Sequence, residues 1–477
     1  MAKFSYQTVW QLAGPNIISN VLMTSISFAH LWIIAPYGPD ASAAVVTGGR
    51  VHFLLMAATM ALSVATTAMV ARAWGADDAE EASAATTSSL TLAVLISLSL
   101  GSVVYAFAPH IAGLFHLDET AAKLAVDYIR PASLLNIVFA LMLTIATAFR
   151  AIGDVVRPLR FTAAGTTVAI AGSYILVHGT FGLPALGVKG IPWGTAFGQG
   201  LVVIWFAVRW LRRHYILTPK PKAAFERARI KQLIDIGAPA AIEQAFIQAS
   251  FLAFMILLAG YGTASFAAYG IGIAILSVCI TAGLGFGVAS ATLAGQRLGA
   301  GDPKAAMASG WAAMRLAIMG MTVLAVITVL LRVPLAELLS TDAEVRHYTE
   351  YFILILALVQ PMMAVEFAIG GALRGSGDTR YPLLVTFTGM ILGRLSVGAM
   401  VVHYGGPVEA MYAVIIVDYM IKSTMLILRF RSGRWIEAGR GRAPLPLQSI
   451  AGLSRESVRR FFFKRSHDHK DDGGLSR

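Results

Sequence analysis

The sequence predicts an all-α integral membrane protein whose twelve transmembrane helices form two homologous six-helix bundles. Composition gives the first indication, because 57% of the 477 residues are hydrophobic and only 13% are charged, whereas a soluble domain carries about a quarter charged residues. The second is the number of apolar stretches that reach the roughly 20 residues needed to cross a bilayer. The third is a repeat of the sequence at one fixed offset of 224 positions.

The apolar stretches alternate with polar breaks and define the twelve spans. In the first half of the chain they lie at 8–36, 42–73, 80–108, 122–149, 158–178 and 189–210. In the second half they lie at 233–260, 265–295, 306–331, 347–373, 382–403 and 408–429. We therefore divide the chain into an N-lobe (1–212), a cytoplasmic linker (213–231), a C-lobe (232–435) and a basic cytoplasmic tail (436–477).

Basic residues lie mostly on one side of the predicted membrane. Arg72, Arg150 and Arg374 follow alternate spans, and a dense basic group lies between Arg209 and Lys231. The loops on the other side, near 38–41, 179–188, 261–264 and 404–409, carry almost no basic residue. Because Lys and Arg are enriched in cytoplasmic loops, both termini are predicted to be cytoplasmic. This bias accounts for the net charge of +12, so no nucleic-acid partner is expected.

The two halves of the chain share motifs. Residues 64–82 read VATTAMVARAWGADDAEEA, and residues 288–306 read VASATLAGQRLGAGDPKAA. At the same offset, FRAIGDVVRPL at 149–159 pairs with LRGSGDTRYPL at 373–383, and Pro15 pairs with Pro239. Because six is an even number, both halves enter the membrane from the same side, and their pseudo-two-fold axis should run along the membrane normal. Transporters with such repeats often bind substrate between the halves.

The repeated loops also predict local structure. In each loop a Gly follows one helix and an Asp precedes the next, which suits a helix C-terminus and an N-cap. We therefore expect Asp78, Asp154, Asp302 and Asp378 to cap helices on the cytoplasmic face rather than to take part in transport.

The motifs VASATLAGQRLGAGDPKAA, ALRGSGDTRYP and RFRSGRW, in a chain of two six-span halves, resemble the MATE family. These are the multidrug and toxic compound extrusion antiporters of the MOP superfamily, and the resemblance covers about residues 8–435. It implies two lobes that form a V in the plasma membrane of a prokaryote, and export of organic, often cationic, compounds driven by protons or sodium. It also implies a monomer whose partners are a small-molecule substrate, the coupling ion and membrane lipids, with no cofactor and no bound metal.

The N-lobe departs from the family pattern. Family members commonly carry an Asp near the end of the first span, and the matching stretch AHLWIIAPYG has His30 there. In the fifth span, Ala169 and Ser173 occupy the positions of a family Asn and Asp. Sodium prefers hard oxygen ligands, so we expect protons rather than sodium to drive transport. His30 is a candidate for proton coupling because a free imidazole titrates near neutrality; the alternative is a neutral, hydrogen-bonded interior histidine.

Two glutamates lie away from the ends of predicted spans in the C-lobe. Glu243 lies in APAAIEQAFIQ of the seventh span, and Glu366 lies in MMAVEFAIGGALRG of the tenth. Burying a lone carboxylate is costly, so each should have a partner or a role. The resemblance places the coupling acids of the NorM-like branch at Ile247 and Met363, about one helical turn away. We expect Glu243 and Glu366 to be displaced together as a cross-helix pair that couples to cation movement, with Glu366 the stronger candidate.

Three further charges lie in the last two spans. Asp418 and Lys422 are four residues apart in VDYMIK. At this spacing an ion pair within one helix is the expected arrangement, and a coupling role for Asp418 is the alternative. Arg394, in LGRLSVG, either holds a carboxylate or positions its helix.

Substrate contacts are predicted from polar and aromatic residues of the spans. Organic cations are often bound by aromatic faces and soft side chains, and a polar stripe on a membrane helix should face a wet interior. The first span carries such a stripe, made of Asn16, Asn20, Thr24, Ser27 and His30. The predicted substrate-binding residues are Asn20, Thr24, Trp32, Gln244, Gln248 and Met363.

Two other functions fit the sequence less well. A lipid-linked precursor flippase of the same superfamily is the alternative, although several flippase branches carry extra helices and the RGSGDT motif favours an exporter. A membrane-embedded enzyme has no nucleotide-binding loop, no HExxH and no His–acid pair at metal-binding spacing to support it. In the tail, SIAGLSRESVRRFFFKR is predicted to lie on the inner leaflet as a basic amphipathic segment.

Overall fold

The computed structural model describes residues 6–115 and 117–440. All regular secondary structure in these ranges is helical, and twelve segments are long and apolar enough to cross a membrane. The N-lobe contains α1 Tyr6–Ile34, α2 Pro39–Gly75, α3 Ala79–Gly113, α4 Glu119–Ala151, α5 Val156–His178 and α6 Gly190–Leu211. The C-lobe contains α7 Arg227–Ala259, α8 Thr263–Gly299, α9 Pro303–Leu330, α10 Arg332–Leu339, α11 Ala343–Gly375, α12 Arg380–Thr388, α13 Val397–His403, α14 Val408–Arg431 and α15 Arg434–Arg440. This is the two-lobe, twelve-span fold that the sequence predicts.

Two helical segments differ from the predicted spans. The eleventh span is not one α-helix, because a π-helical turn at Gly389–Ser396 joins α12 to α13. The seventh helix begins at Arg227, inside the predicted linker. Its first turns, RARIKQL, are polar, and composition marks only the apolar part of a helix. We call the end of the bundle where α1 begins and α14 ends the terminus-bearing end.

The repeated loops cap helices largely as predicted. Asp78, Asp154 and Asp302 each accept a hydrogen bond from the backbone N–H three residues later, at 2.8, 3.1 and 2.8 Å. The prediction for Asp378 is wrong, because no side chain caps α12. The Asp378 carboxylate instead accepts two hydrogen bonds from Arg429 in the last turn of α14, at 3.0 and 2.8 Å. The Arg429 guanidinium thus reaches from α14 to the loop before α12 and pairs there with the buried Asp378 carboxylate.

At the terminus-bearing end, the two lobes are joined by four residues that the 224-position repeat relates in pairs, which we call the interlobe latch: Arg72, Gly75, Gln296 and Gly299. Arg72 Nη2 donates to the carbonyl oxygen of Ser376 at the end of α11, at 3.2 Å. Its counterpart Gln296 donates through Nε2 to the carbonyl oxygen of Ala151 at the end of α4, at 2.7 Å. Each lobe thus supplies one side chain to the last turn of a helix in the other.

The latch glycines bring the backbones of α2 and α8 together. A Cβ on Gly75 would lie 1.9 Å from the Gln296 carbonyl oxygen, and one on Gly299 would lie 2.0 Å from the Arg72 carbonyl oxygen. Both contacts are too close for any side chain, and small residues are what allow membrane helices to approach in this way. Nearer the middle of the bundle, Asn20 Nδ2 also crosses between the lobes and donates to the Thr281 carbonyl oxygen at 3.3 Å.

Within the N-lobe, α5 and α6 pack through glycines of α6. A Cβ on Gly190, Gly194 or Gly198 would lie 2.6, 2.2 or 2.2 Å from the backbone of α5. The repeat places Val414, Asp418 and Lys422 at these positions of α14. Close packing in the C-lobe therefore depends on glycines of the opposite helix, which are described below.

The segment between the lobes docks on the first turns of α3. Ser83 and Thr87 accept hydrogen bonds from the backbone N–H groups of Thr218 and Lys220, at 3.0 and 3.2 Å. The Lys220 ammonium pairs with Glu80 at 2.6 Å. The polar residues of α3 thus hold the connection in place. The predicted basic amphipathic segment of the tail lies outside the described residues.

Candidate functional site

Six charged side chains, five of them within predicted spans, come together inside the C-lobe, between α7, α11, the π-helical turn and α14. We call them the charge cluster: Glu243, Glu366, Arg374, Arg394, Asp418 and Lys422. Three are acidic and three are basic, so the cluster is neutral when all six are ionised. Charges this deep in a membrane protein are expensive unless they are paired.

Asp418 lies between two basic residues and is fully buried. Its Oδ2 lies 2.6 Å from Arg394 Nη2, and its Oδ1 lies 3.1 Å from Lys422 Nζ. The predicted pair between Asp418 and Lys422 is therefore present. Of the two roles left open for Arg394, the structure gives the first, because this residue holds a carboxylate. The other side of the guanidinium faces aromatic rings, with Cζ 5.0 Å from the centroid of Phe251.

Glycines of the π-helical turn make room for this pair. A Cβ on Gly389 would lie 2.6 Å from Asp418 Oδ1, and one on Gly393 would lie 2.7 Å from Asp418 Cα. π-Helical turns inside α-helices often occur at functional sites. Here the turn presents Arg394 to Asp418 while its two glycines admit the charged side chains of α14.

Glu243 is held by the third basic residue of the cluster, Arg374. Its Oε1 accepts from Arg374 Nη2 at 2.5 Å and from the Thr386 hydroxyl at 2.9 Å, and its Oε2 accepts from Arg374 Nε at 3.3 Å. Arg374 also acts electrostatically on Glu366. The two glutamates therefore belong to one cluster, in which Arg374 binds Glu243 and acts electrostatically on Glu366.

Glu366 is the most loosely held carboxylate of the cluster. Its closest ion-pair contact among the described residues is Lys422 Nζ at 3.9 Å, a distance too long for a hydrogen bond. Its side chain is 17% exposed, whereas that of Glu243 is 3% exposed and that of Asp418 is 0% exposed. Glu366 is thus the acidic residue of the cluster that is partly exposed and has no tight partner among the described residues.

In the N-lobe, His30 is buried and hydrogen-bonded. Its Nε2 lies 3.1 Å from the Thr195 hydroxyl, which also donates to the Ile191 carbonyl oxygen at 2.9 Å. His30 and Thr195 thus share one hydrogen bond, in which the tautomer of the imidazole decides the donor. Ser173, which occupies the position of the family Asp, donates to the same carbonyl at 3.1 Å. His30, Ser173 and Thr195 therefore form one small polar cluster.

A second imidazole, which sequence reasoning missed, lies near His30. His52 of α2 is partly buried, and its ring packs edge-on against Phe139 at 6.0 Å between centroids. Its Nδ1 has no hydrogen-bond partner within the described ranges, and it lies close enough to act electrostatically on His30. The sequence signal for His52 is its position in the apolar stretch VHFLLM, since an ionisable residue within a membrane span usually has a functional role.

The predicted substrate-binding residues differ in their surroundings. Asn20 bonds across the lobes, Thr24 bonds to the Asn20 carbonyl oxygen at 3.0 Å, and Trp32 stacks on Tyr174 with 70% of its surface exposed. Gln244 and Gln248 are partly buried. Met363 is fully buried in the C-lobe core, so in this conformation its side chain is not available to a substrate. In the described part of the chain, no three His, Cys, Asp or Glu side chains lie close enough to hold a metal ion.

The MatE family model matches the chain twice, over residues 15–175 and residues 239–399. The two matches are 224 positions apart, which is the offset of the internal repeat. The chain belongs to the MatE family. The MATE resemblance of the sequence motifs is thereby confirmed, and so is the division of the fold into two homologous six-span halves.

Relatives with similar sequences carry transporter names. A probable multidrug resistance protein NorM from Thermotoga maritima is 26% identical over 442 residues, covering 89% of this chain and 92% of the relative. The multidrug resistance protein PmpM of Pseudomonas aeruginosa is 27% identical over 386 residues, covering 79% of each chain. Together with the twelve spans, these relatives indicate a multi-pass transporter of the multidrug efflux class in a prokaryotic inner membrane.

Solved MATE structures share the fold. A mutant of the Vibrio cholerae MATE transporter VcmN superposes with a TM-score of 0.83 at 19% identity, over 90% of this chain and 96% of that one. A MOP superfamily transporter from Pyrococcus furiosus, described as having a binding pocket of reverse polarity, gives a TM-score of 0.82 at 18% identity, over 91% of this chain and 96% of that one. At this identity the likeness concerns the fold alone.

Proposed function

We propose that this MATE protein exports organic cations or cationic amphiphiles in exchange for protons, by alternating access between its two lobes. Membership of the family and the names of its relatives support the transport class. The observation that carries the choice of coupling ion is the state of Glu366. This carboxylate is largely buried, its nearest basic partner among the described residues is 3.9 Å away, and 17% of its side chain is exposed.

Proton uptake at Glu366 changes the balance of the charge cluster. With Glu366 ionised, Lys422 is attracted by two carboxylates, at 3.1 Å and 3.9 Å. With Glu366 protonated, the ammonium is left to Asp418 alone, and α11 loses one electrostatic tie to α14. Asp418 and Glu243 are bound tightly enough that we assign them structural roles in the same cluster.

The conformation described here is closed at the terminus-bearing end by the interlobe latch. The distribution of Lys and Arg supports a cytoplasmic location for that end, with both termini inside. We therefore assign the closed end to the cytoplasm and the conformation to the outward-facing state. Transport then requires the latch to open and reclose once in each cycle.

The N-lobe supplies secondary candidates for this function. His30 is hydrogen-bonded to Thr195 and can take up a proton at the ring nitrogen that carries none, so we keep it as a second coupling residue. The substrate contacts proposed for the lobe interface are Asn20, Thr24, Trp32, Gln244 and Gln248. Sodium is the less favoured coupling ion in this proposal. We propose that a monomer in the lipid bilayer is the working unit.

The test is transport of a fluorescent lipophilic cation by the purified full chain in liposomes, under either a proton gradient or a sodium gradient. We expect proton-driven movement that Glu366→Gln abolishes. Glu337→Gln, which changes an exposed glutamate on α10, is the matched control and should transport normally. Sodium-driven movement would contradict the proposed coupling ion. No movement under either gradient, with folded protein, would point to another substrate class and to the flippase.

A further inference from the structure

We propose that Lys422 is a tethered cation that keeps sodium out of the space between Asp418 and Glu366, and that it thereby determines the coupling ion. This inference rests on the proposed function in one respect, the choice of Glu366 as the coupling carboxylate. The binding of sodium itself is a separate property, and it is measured without transport.

The surroundings of the Lys422 ammonium are those of a cation site. Nζ lies 3.1 Å from Asp418 Oδ1, 3.9 Å from Glu366 Oε1 and 4.9 Å from the centroid of the Tyr419 ring. Carboxylate oxygens are the ligands preferred by hard cations, and an aromatic face attracts positive charge. A free monovalent cation entering the C-lobe would find this place already filled.

The neighbouring helix is built to admit the lysine. A Cβ on Gly389 would lie 2.6 Å from Lys422 Cγ and 2.9 Å from Lys422 Cε. The methylene stem therefore passes through a space that only glycine leaves open. Arg394 lies 2.6 Å from the other carboxylate oxygen of Asp418, so Oδ1 is the oxygen that faces the ammonium.

The charges around Glu366 show what removal of the lysine would do. The groups that face this part of the lobe are Glu243 from α7, Tyr269 from α8, Arg374 from α11, Arg394 from the π-helical turn, and Asp418, Tyr419 and Lys422 from α14. Without Lys422, three carboxylates would face two guanidinium groups, leaving one negative charge without a basic partner. Since Arg394 is already paired with Asp418 and Arg374 with Glu243, the carboxylate left without a basic partner would be Glu366.

Protons and sodium differ in what they require of this site. A proton binds to one oxygen of Glu366 and displaces nothing. Sodium needs several oxygens converging on one point, and the ammonium occupies that point. Because the lysine is part of the chain, its effective concentration there is far above that of a free ion. Sodium therefore does not compete while Lys422 is present.

The test measures sodium binding by the thermal unfolding of the purified full chain, in sodium chloride and in choline chloride at equal ionic strength. The wild type should show no sodium-specific change. Lys422→Met keeps the stem and removes the charge, and we expect sodium to raise its unfolding midpoint by about 2 °C or more. Lys422→Arg keeps the charge and should behave as the wild type. Lys231→Met, at an exposed lysine of α7, is the matched control and should show no rise.

A double variant, Lys422→Met with Glu366→Gln, tests whether the sodium site gained by Lys422→Met includes Glu366. It should lose the sodium response, because one of the two carboxylates is gone. The proposal is overturned if the wild type shows a sodium-specific rise, if Lys422→Met shows none, or if the rise survives in the double variant. Should Lys422→Met aggregate, Lys422→Gln is measured in the same way and judged by the same outcomes. Failure of the proposed function would be visible elsewhere, as absent or sodium-driven transport by the wild type.

Discussion

Asp418 is a fully buried carboxylate that serves two basic residues, Arg394 at 2.6 Å and Lys422 at 3.1 Å. Removing one member of such a group leaves the others buried without compensation, which costs about 3–5 kcal/mol in measured cases. We therefore expect Asp418→Ala to lower the free energy of unfolding by about that amount. Asp302→Ala, which removes an exposed helix cap, should cost only about 1 kcal/mol.

Denaturant unfolding of the two purified variants beside the wild type measures this difference. Adding Arg394→Met to Asp418→Ala should recover part of the loss, because it removes one of the two stranded basic side chains. Equal stability of Asp418→Ala and Asp302→Ala would contradict the pairing described here.

At the same scale, the sequence predicts some members of the charge cluster and misses others. The spacing of Asp418 and Lys422 is enough to predict their pair. The sequence identifies Arg374 only as a positive charge at a cytoplasmic helix end. The enrichment of Lys and Arg in cytoplasmic loops does not predict in which direction a long side chain turns. In the structure it turns inward to Glu243. His52 lies alone in an apolar stretch, and without a spacing pattern its position gives no partner to predict.

Among the helices, α5 and α6 of the N-lobe pack backbone against backbone. A Cβ on Gly194 would lie 2.2 Å from the backbone N of Ser173, and backbone cannot move aside as a side chain does. We expect Gly194→Ala to destabilise the protein by about 1–3 kcal/mol, the usual cost of overpacking. Gly270→Ala is the control, because nothing lies within 4 Å of a Cβ there. Thermal unfolding separates the two variants, and an equally stable Gly194→Ala would refute the close approach.

The elements themselves were largely predictable, because twelve apolar stretches and one constant offset leave few alternatives. Hydrophobicity does not record where a helix changes its winding, so the π-helical turn at Gly389–Ser396 had no signal of its own. Its two glycines and Arg394 are visible in LGRLSVG and the residues before it, but their meaning depends on the helix opposite. The same holds for Asp378, whose partner Arg429 lies 51 positions further along the chain.

At the scale of the whole molecule, the interlobe latch decides whether the lobes can close. A Cβ on Gly299 would lie 2.0 Å from the Arg72 carbonyl oxygen of the other lobe. We therefore expect Gly299→Ala to hold the terminus-bearing end open. In a Cys279→Ser background, a cysteine introduced by Ala151→Cys should be labelled faster by a water-soluble maleimide when Gly299→Ala is added.

The control for this labelling is Gly113→Ala, at the far end of the N-lobe, where nothing lies within 4 Å of a Cβ. It should leave the labelling rate unchanged. A Gly299→Ala protein that is labelled no faster than its parent would mean that the latch does not govern closure.

The arrangement of α5 with α6, and of the π-helical turn with α14, also bears on how the two halves can evolve. Gly194 and Gly198 of one half correspond to Asp418 and Lys422 of the other. Recombination that copied α14 alone into the first half would drive an aspartate and a lysine into the α5 backbone. Copying α6 alone into the second half would strand Arg394 and Glu366. The duplicated halves can therefore exchange one of these helices only together with the helix that it packs against. Exchange of a single helix is disfavoured, so the two halves diverge independently in sequence.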